Sequence, residues 1–460
     1  MRVENAIAEV RRRSWLAALF SALAALSASP ATAQETAPQY DAANAIVFRG
    51  ATILDGIGGR IVGDLRIGDG RIVAVGPNLE AADARVSDAS GLWITPGIID
   101  AHTHYGTFLM PYNAAQGEVS DVTEQSGPDV SDTWIEHGVR PVDPAFSRAL
   151  AAGVTTVQVL PGSSALFAGR SVVLRPIQTT RVERMRVDYA PRGLKLACGG
   201  NPAGRFEEDN RFPSSRQGQV AFVREKLSAA QSYADRGVKG TAIPSEQNGM
   251  TSEEARAAAL IAAMAGDAPV HIHCYRAEDI ANWVTLLGEF GIRDITVHHA
   301  SESYKIARFL AERDVCVAVW SDWWGFKREA EDGIPESAAI IDAAGGCAIM
   351  HSDIPVIGAL LNIEASKAAA AGRRAGLAIG PEKAIGWITH NAARSLGIAD
   401  RTGALKPRLD ADLVVWSGNP MSVYSKPLEV YIGGRLAYSA DTPAPSTDFE
   451  LGRDQIEAGR

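Results

Sequence analysis

Thr95-Pro-Gly-Ile-Ile-Asp-Ala-His-Thr-His-Tyr-Gly106 is the stretch that decides the expected fold. Ile98 and Ile99 predict a buried strand, and side chains two residues apart on a strand face the same side. His102 and His104 therefore point together where this strand ends. Two imidazoles that converge from a rigid element form half of a metal site, and the rest of the chain has to supply the other ligands.

The composition bounds the class of protein. The chain has 460 residues, of which 46% are hydrophobic and 22% are charged, as in an ordinary globular protein of two or three domains. Its formal net charge of −9 gives nucleic-acid binding no general electrostatic support, so a nucleic-acid partner is not expected. Cys198, Cys274, Cys316 and Cys347 are widely spaced and lie beside apolar runs, which predicts four buried free thiols.

The N-terminal residues have the pattern of an export signal. Arg11–Arg13 precede the apolar run Trp15–Leu26, and Ala31-Thr-Ala33 fits a cleavage site, which predicts a signal peptide over 1–33. The same arginines, with the Ser-Trp-Leu that follows them, loosely resemble a twin-arginine signal. The apolar run is too short to span a membrane comfortably. A mature protein without a membrane span, located in a periplasm or outside the cell, is therefore expected.

Strands and helices alternate through most of the chain, which predicts an α/β fold with a parallel sheet. Strands are predicted near residues 96, 155, 171, 193, 269, 294, 315 and 347. Eight such strands predict a (β/α)8 TIM barrel over 95–397. A doubly wound open sheet is the alternative, but the glycine-rich dinucleotide fingerprint is absent.

The segments that flank this region are β-like. Residues 34–94, with a hairpin at Asp69-Gly70, and residues 398–440 are predicted to form one composite β-sandwich domain. Residues 441–460 are polar and are predicted to be a disordered tail. The long irregular segment between Gly106 and Asp143 is expected to cover the site, because loops of that length in compact domains are usually functional or disordered.

Active sites of such barrels lie at the carboxyl ends of the strands. The polar residues predicted there are His102, His104, Lys195, His271, His273, His298, His299, His351 and Asp353. A single histidine in a strand is more often structural than a ligand. Seven of the nine histidines at four strand ends, together with an aspartate, instead predict a metal centre.

Several motifs together resemble the amidohydrolase superfamily, and most closely its imidazolonepropionase-like and prolidase-like branch. The resemblance covers nearly all of the expected mature chain. It lies in the specific motif Thr95–His104, in Gly153-Val-Thr-Thr156, and in the companion elements Thr389–Gly397 and Asp410–Trp416. It implies metal ligation by six residues, namely His102, His104, Lys195, His273, His299 and Asp353.

The choice among neighbouring histidines rests partly on this resemblance. His271 and His273 face the same way, and His273 lies nearer the strand end. His298 and His299 point to opposite faces, so alternation cannot choose between them, whereas the resemblance favours His299. His271 and His351 are expected to support the ligands rather than to bind the metal.

The resemblance also implies the cofactor. One or two divalent metal ions, with zinc expected, would lower the pKa of a bound water and polarise a carbonyl. Lys195 would bridge two ions as a carbamate. A centre with one metal, or a lysine that extends to the rim, stays open. Asp353 is the expected catalytic residue, which takes a proton from the water and delivers it to the leaving nitrogen.

The expected function is exported, metal-dependent hydrolysis of a C–N bond, in a small-molecule substrate such as a dipeptide or an N-acyl amino acid. Alternatives are a deaminase, a cyclic amidase, a lactonase, or a binding protein on a relic barrel; a homo-oligomer stays open. Arg276 is expected to meet a substrate carboxylate, with an ordinary surface salt bridge as the alternative. The other substrate-binding candidates are Ser163, Tyr275, Trp320 and Asp322.

Overall fold

The computed structural model describes residues 45–442 except Asp83 and Tyr112. The predicted signal peptide and most of the predicted tail lie outside these residues. None of the helices in the described part of the chain has both the length and the apolar character needed to cross a membrane.

The strands near the two ends of the described chain form one eight-stranded sheet. They are β1 (Ile46–Leu54), β2 (Arg60–Gly68), β3 (Arg71–Gly76), β4 (Arg85–Asp88), β5 (Trp93–Pro96), β15 (Leu413–Trp416), β16 (Pro427–Ile432) and β17 (Arg435–Ser439). The order is β17-β16-β15-β5-β1-β2-β3, with β4 paired to β1. The predicted hairpin at Asp69-Gly70 is confirmed: β2 and β3 pair antiparallel, and both turn residues have positive φ.

The remaining strands form a three-stranded and a six-stranded sheet. They are β6 (Ile98–Thr103), β7 (Val154–Val159), β8 (Phe167–Arg170), β9 (Val172–Leu174), β10 (Leu194–Ala197), β11 (Val270–Cys274), β12 (Ile295–His299), β13 (Cys316–Val319) and β14 (Cys347–Met350). The orders are β6-β7-β9 and β14-β13-β12-β11-β10-β8. Every residue of these strands is buried, as expected for strands covered on both faces.

The third of the eight predicted strands differs from the expectation of parallel pairing. The segment 167–174 breaks at Ser171 into β8 and β9. β8 pairs antiparallel with β10, and β9 pairs antiparallel with β7, whereas β6–β7 and all pairs from β10 to β14 are parallel. The segment therefore joins the two sheets and runs against its neighbours.

Hydrogen bonds also link the far edges of the two sheets, β14 and β6. No strand ladder joins them within residues 45–442. Instead, the Asp353 amide donates to the His102 carbonyl over 2.9 Å, and the Ser352 amide donates to the Asp100 carboxylate over 3.2 Å. The chain after β14 is thereby held against the strand that carries the first histidine pair.

Helices follow most of the central strands. The α-helices are 114–117, 144–151, 200–208, 216–235, 252–265, 277–289, 307–311, 337–343, 355–358, 361–374, 381–384 and 390–395. A capping box opens helix 252–265, where Thr251 and Glu254 hydrogen-bond reciprocally. The helical segment that begins at Pro381 is interrupted before helix 390–395, because Thr389 has the non-helical angles φ −136° and ψ −90°.

The prediction of four free thiols is wrong. The structure pairs Cys198 with Cys274 and Cys316 with Cys347, and leaves no free cysteine among the described residues. Cys316 and Cys347 are direct neighbours across the β13–β14 ladder, and Cys198 follows β10 beside the end of β11. Spacing along the chain could not show this, because the partners meet only through strand pairing.

The long segment after β6 is fixed to the strand ends. The Asp121 amide donates to the Thr107 carbonyl over 2.7 Å, and the Gly162 amide donates to the Val122 carbonyl over 2.9 Å. Together with residues 244–248, this segment lines a cavity of about 680 Å³. The strand-end histidines do not line that cavity, so its placement over them stays a prediction.

Candidate metal centre

The carboxyl end of β6 and the chain after β14 bring three of the predicted ligands together. Nε2 of His102 and Nε2 of His104 each lie 3.3 Å from Oδ1 of Asp353. Ligand atoms of these three residues lie within 4.8 Å of one another, a spacing at which they could hold a metal ion. Nδ1 of His104 lies 2.8 Å from the Leu160 carbonyl oxygen. Because a carbonyl oxygen only accepts hydrogen bonds, Nδ1 must carry a hydrogen to make this bond. Nε2 of His104 is thereby the ring nitrogen that is left to face Asp353.

A second group of candidate ligands shares His102. The ligand atoms of His102, His299 and His351 also lie within 4.8 Å of one another. The ring centroids of His299 and His351 lie 4.9 and 5.0 Å from that of His102. The predicted ligand His273 packs edge-on against His299, with centroids 4.4 Å apart. The ring of His351 therefore lies about as close to that of His102 as the ring of His299 does.

Buried nitrogens without a hydrogen-bond partner test whether these residues suit a metal. At the strand ends such atoms include Nδ1 and Nε2 of His102, Nε2 of His273, Nδ1 of His298, Nδ1 of His299, both ring nitrogens of His351, and Nζ of Lys195. A buried polar atom without a partner costs about 1–3 kcal/mol, so a fold does not accumulate them without a reason. Burial, followed by the charge of Lys195, holds the pKa of His102 well below its usual value. Neutral imidazoles with free lone pairs are the form that ligates a metal, so the donor set fits one.

Lys195 lies on β10 with its side chain fully buried. Its ammonium makes no hydrogen bond in the part of the chain that the structure describes. Burial lowers the pKa of this lysine to about 7. Near neutral pH a large fraction of Lys195 is therefore the neutral amine, which is the nucleophilic form that carbamate formation needs.

A buried hydrogen-bond chain holds the other two strand histidines. The Gln158 side-chain nitrogen lies 2.9 Å from Nε2 of His271, and Nδ1 of His271 lies 3.0 Å from Nε2 of His298. Gln158 also donates to Ser171 Oγ over 3.0 Å. Whichever tautomer is present, Nε2 of His298 is engaged by His271. His271 thus contacts His298 rather than the group around Asp353.

The backbone after β14 is strained at Asp353, which has φ +65°. The hydrogen bond from its backbone amide to the His102 carbonyl fixes this conformation and directs the carboxylate toward the histidine pair. Burial raises the pKa of Asp353, but a hydrogen bond from His104 and the neighbouring positive charges outweigh burial and hold it below its usual value. Asp353 is therefore a carboxylate, able to accept a proton.

Asp100 supports this arrangement and was missed by sequence reasoning, although it lies inside the opening motif. One of its carboxylate oxygens accepts from the amides of His102 and Ser352, over 3.3 and 3.2 Å. Its other oxygen accepts from the Tyr105 hydroxyl over 3.4 Å. Burial raises the pKa of Asp100 to about 7. The residue connects the two segments that carry His102, His104 and Asp353, the first group of candidate ligands.

The predicted substrate-binding residues fall into two groups. Tyr275 and Trp320 lie beside the histidines: the Tyr275 ring stacks on that of His299 at 5.4 Å, and the Trp320 centroid lies 4.4 Å from it. The other predicted residues have partners of their own. Nε of Arg276 lies 2.8 Å from Glu278, Asp322 pairs with Lys367 at 2.8 Å, and Ser163 accepts from Asn201 over 2.7 Å.

Asn201, Lys327 and Glu329 extend from Ser163 toward Tyr275, and sequence reasoning missed all three. The Lys327 ammonium donates to Asn201 Oδ1 over 2.7 Å and pairs with Glu329 at 3.1 Å. They lie in the segments that follow β10 and β13, outside any apolar strand. No periodic pattern distinguishes such residues from ordinary surface polar residues.

Imidazoles and a carboxylate at the carboxyl ends of parallel strands are the arrangement of metal-dependent hydrolases. The amidohydrolase family model matches residues 93–437. A solved amidohydrolase of Thermotoga maritima MSB8 is 31% identical, with a TM-score of 0.75 over 86% of this chain and 100% of that one. The chain belongs to the amidohydrolase family, whose members are hydrolases acting on C–N bonds.

Curated relatives are more distant. Amidohydrolase tasK of Hapsidospora irregularis is 27% identical over 404 residues, which are 82% of this chain and 40% of tasK. An imidazolonepropionase of Mesorhizobium japonicum is 25% identical over 402 residues, which are 80% of this chain and 90% of that protein. A prolidase solved with N-methylphosphonate-L-proline shares the fold at 20% identity, with a TM-score of 0.52 over 86% of this chain and 100% of that one.

Proposed function

We propose that this chain is an exported, metal-dependent amidohydrolase that hydrolyses the C–N bond of a dipeptide or an N-acyl amino acid. The observation that carries the proposal is the set of buried, unpartnered imidazole nitrogens around the Asp353 carboxylate. His102, His104, Lys195, His273, His299 and Asp353 are the proposed metal ligands. Zinc suits this set of nitrogen and carboxylate donors.

A divalent cation held by these residues would supply Lewis acidity, which would lower the pKa of water and polarise a carbonyl. The proposed catalytic step belongs to Asp353. Its carboxylate accepts a proton from the attacking water, and its acid form then donates that proton to the departing nitrogen. His104 keeps Nε2 directed at Asp353 because Leu160 fixes its tautomer. Tyr275 and Trp320 pack against His299 and shield the centre from bulk water.

His299 rather than His298 is the proposed ligand on β12. Nε2 of His298 is engaged by His271, whereas His299 lies in a group of three candidate ligands. His299 has φ +69°, so the strand geometry ends there and alternation no longer determines the direction of its side chain. His351 is proposed to support the ligands, although its position also suits direct binding.

The two central sheets are proposed to close into one barrel, with residues 95–397 as the catalytic domain and 34–94 with 398–440 as the β-sandwich domain. The hydrogen bonds from the Asp353 amide to His102 and from the Ser352 amide to Asp100 support closure of the barrel between β14 and β6. The shared sheet of β1–β5 and β15–β17 supports the composite domain.

Export is supported by the two disulfides. Disulfides persist in oxidising compartments and are rare in the cytosol. N-terminal sequencing of protein from a periplasmic or culture fraction would then find a mature chain that starts near Gln34. A cytosolic chain that keeps residues 1–33 would refute export.

The test of the activity is a panel of dipeptides and N-acyl amino acids, assayed with metal-loaded enzyme. Wild type is expected to release free amino acid, whereas Asp353→Asn should retain the metal and lose about 10²–10⁴-fold in kcat. Full activity in this variant would refute the proposed role. Because the relatives include imidazolonepropionases, an imidazolone is the second candidate substrate, and it is added to the panel.

A further inference from the structure

The ring of Tyr275 separates one lysine ammonium, that of Lys327, from the proposed metal ligands. Nζ of Lys327 lies 3.8 Å from the ring centroid of Tyr275. That ring stacks on His299 at 5.4 Å and meets His273 edge-on at 4.8 Å. Lys327 comes from the loop between β13 and helix 337–343, and its side chain is 26% exposed. The ammonium is therefore both near the centre and open to a ligand.

The Lys327 ammonium is oriented but not saturated. It donates to Asn201 Oδ1 over 2.7 Å and to Glu329 Oε2 over 3.1 Å. An ammonium carries three N–H groups, and beyond these two acceptors its remaining neighbour in the structure is the Tyr275 ring, a weaker contact that a carboxylate can replace. Asn201 is held in turn by its bond to Ser163 Oγ.

Glu329 is itself anchored, which fixes the lysine in place. Its Oε1 accepts from the Gly200 amide over 2.8 Å. A Cβ at either Gly199 or Gly200 would lie 2.7 Å from a Glu329 oxygen, so only glycines permit this close approach. The Gly200 amide also hydrogen-bonds the Glu329 carboxylate, so Glu329 does not fully neutralise Lys327. The ammonium can therefore still attract another anion.

The other cations nearby are committed elsewhere. Arg276 pairs with Glu278 at 2.8 Å with its side chain 41% exposed, and Lys195 is fully buried. Of these three cations, Lys327 is the partly exposed one whose ammonium contacts the Tyr275 ring, which in turn packs on His299.

We propose that Lys327 binds a free carboxylate of the substrate and so selects amides that carry one. This inference rests on the proposed hydrolase function and names its specificity residue. The substrate class that it defines is an amide whose amine portion is an amino acid with a free carboxylate. Blocking that carboxylate should lower the affinity of the substrate for the enzyme. Tyr275, between the ammonium and His299, sets the distance between that carboxylate and the scissile bond.

Paired substrates provide the test. For each cleaved dipeptide or N-acyl amino acid, kcat/KM is measured beside that of its carboxamide. Lys327→Gln should lower kcat/KM for the free acid by about 10- to 100-fold, mainly through KM, as expected for a lost charge-assisted hydrogen bond. It should leave the carboxamide and the metal content unchanged, and Lys327→Arg should restore most of the preference. Equal loss on acid and carboxamide, or no loss, would overturn the proposal.

Lys383→Gln is the matched control, because Lys383 also pairs with a carboxylate, Asp342 at 3.3 Å, but lies on helix 381–384. Calorimetric binding of N-acetyl-L-leucine and N-acetyl-L-leucinamide to the metal-loaded enzyme separates this proposal from turnover. Tighter binding of the acid, lost only in the Lys327 variant, supports it even if no panel amide is cleaved. Equal binding of acid and amide would overturn it.

Discussion

Removing each disulfide should destabilise the protein by an amount that its loop length sets. The perturbation is Cys198→Ala with Cys274→Ala, and separately Cys316→Ala with Cys347→Ala. The bridges close loops with sequence separations of 76 and 31 residues. Loop-closure entropy in the unfolded chain then gives about 4.5 kcal/mol for the first pair and about 3.7 kcal/mol for the second at 25 °C.

The assay is denaturant unfolding of the metal-loaded protein with and without reductant. The free energy of unfolding should fall in each double variant, and reductant should then affect only the bridge that remains. A counting experiment accompanies it: denatured, unreduced wild type should take up no alkylating label, and reduced wild type should take up a label at each of Cys198, Cys274, Cys316 and Cys347. Labelling of all these cysteines without reduction, or double variants as stable as wild type, would refute the disulfides and restore the prediction of free thiols.

The remaining predictions concern individual side chains. Lys195→Ala should lower the metal content found by elemental analysis below that of wild type, and bicarbonate should raise metal uptake by the apo wild type but not by the variant. A variant that binds as much metal as wild type would remove Lys195 from the ligand set. Gly358→Ala should lower the melting temperature, since a Cβ there would lie 1.4 Å from the Tyr105 hydroxyl and overpacking costs about 1–3 kcal/mol. Gly204 lies in open space on a helix, so the control Gly204→Ala should raise the free energy of unfolding by about 0.5–1 kcal/mol. Gln158→Leu should keep the fold but lower kcat more than it changes KM, because it frees the histidine chain; an unchanged kcat would assign Gln158 to packing alone.

Much of the site follows from local sequence because strands impose simple rules. His102 and His104 lie two apart at the end of an apolar run, so their convergence follows from alternation alone. Asp353 ends another such run, and the structure places it beside them at 3.3 Å. These residues could be predicted because each depends only on its own strand and on where that strand ends.

The missed features depend on contacts between distant segments. The direction of the His299 side chain depends on its φ of +69°, which strand periodicity does not contain, so only the family resemblance favoured this residue over His298. The pairing of Cys198 with Cys274 depends on which strands are neighbours. Lys327 lies in a loop whose position is set by Asn201 and Glu329, and no periodic signal marks it.

The bond between Asp100 and Ser352 joins residues 252 positions apart. The proposed metal centre extends across the same junction, with His102 on one side and Asp353 on the other. Contacts of such separation carry a large loop-closure cost and are slow to form. Neither β6 nor the segment after β14 supplies the proposed ligands alone, so metal uptake during refolding should trail the recovery of secondary structure and report when β14 meets β6.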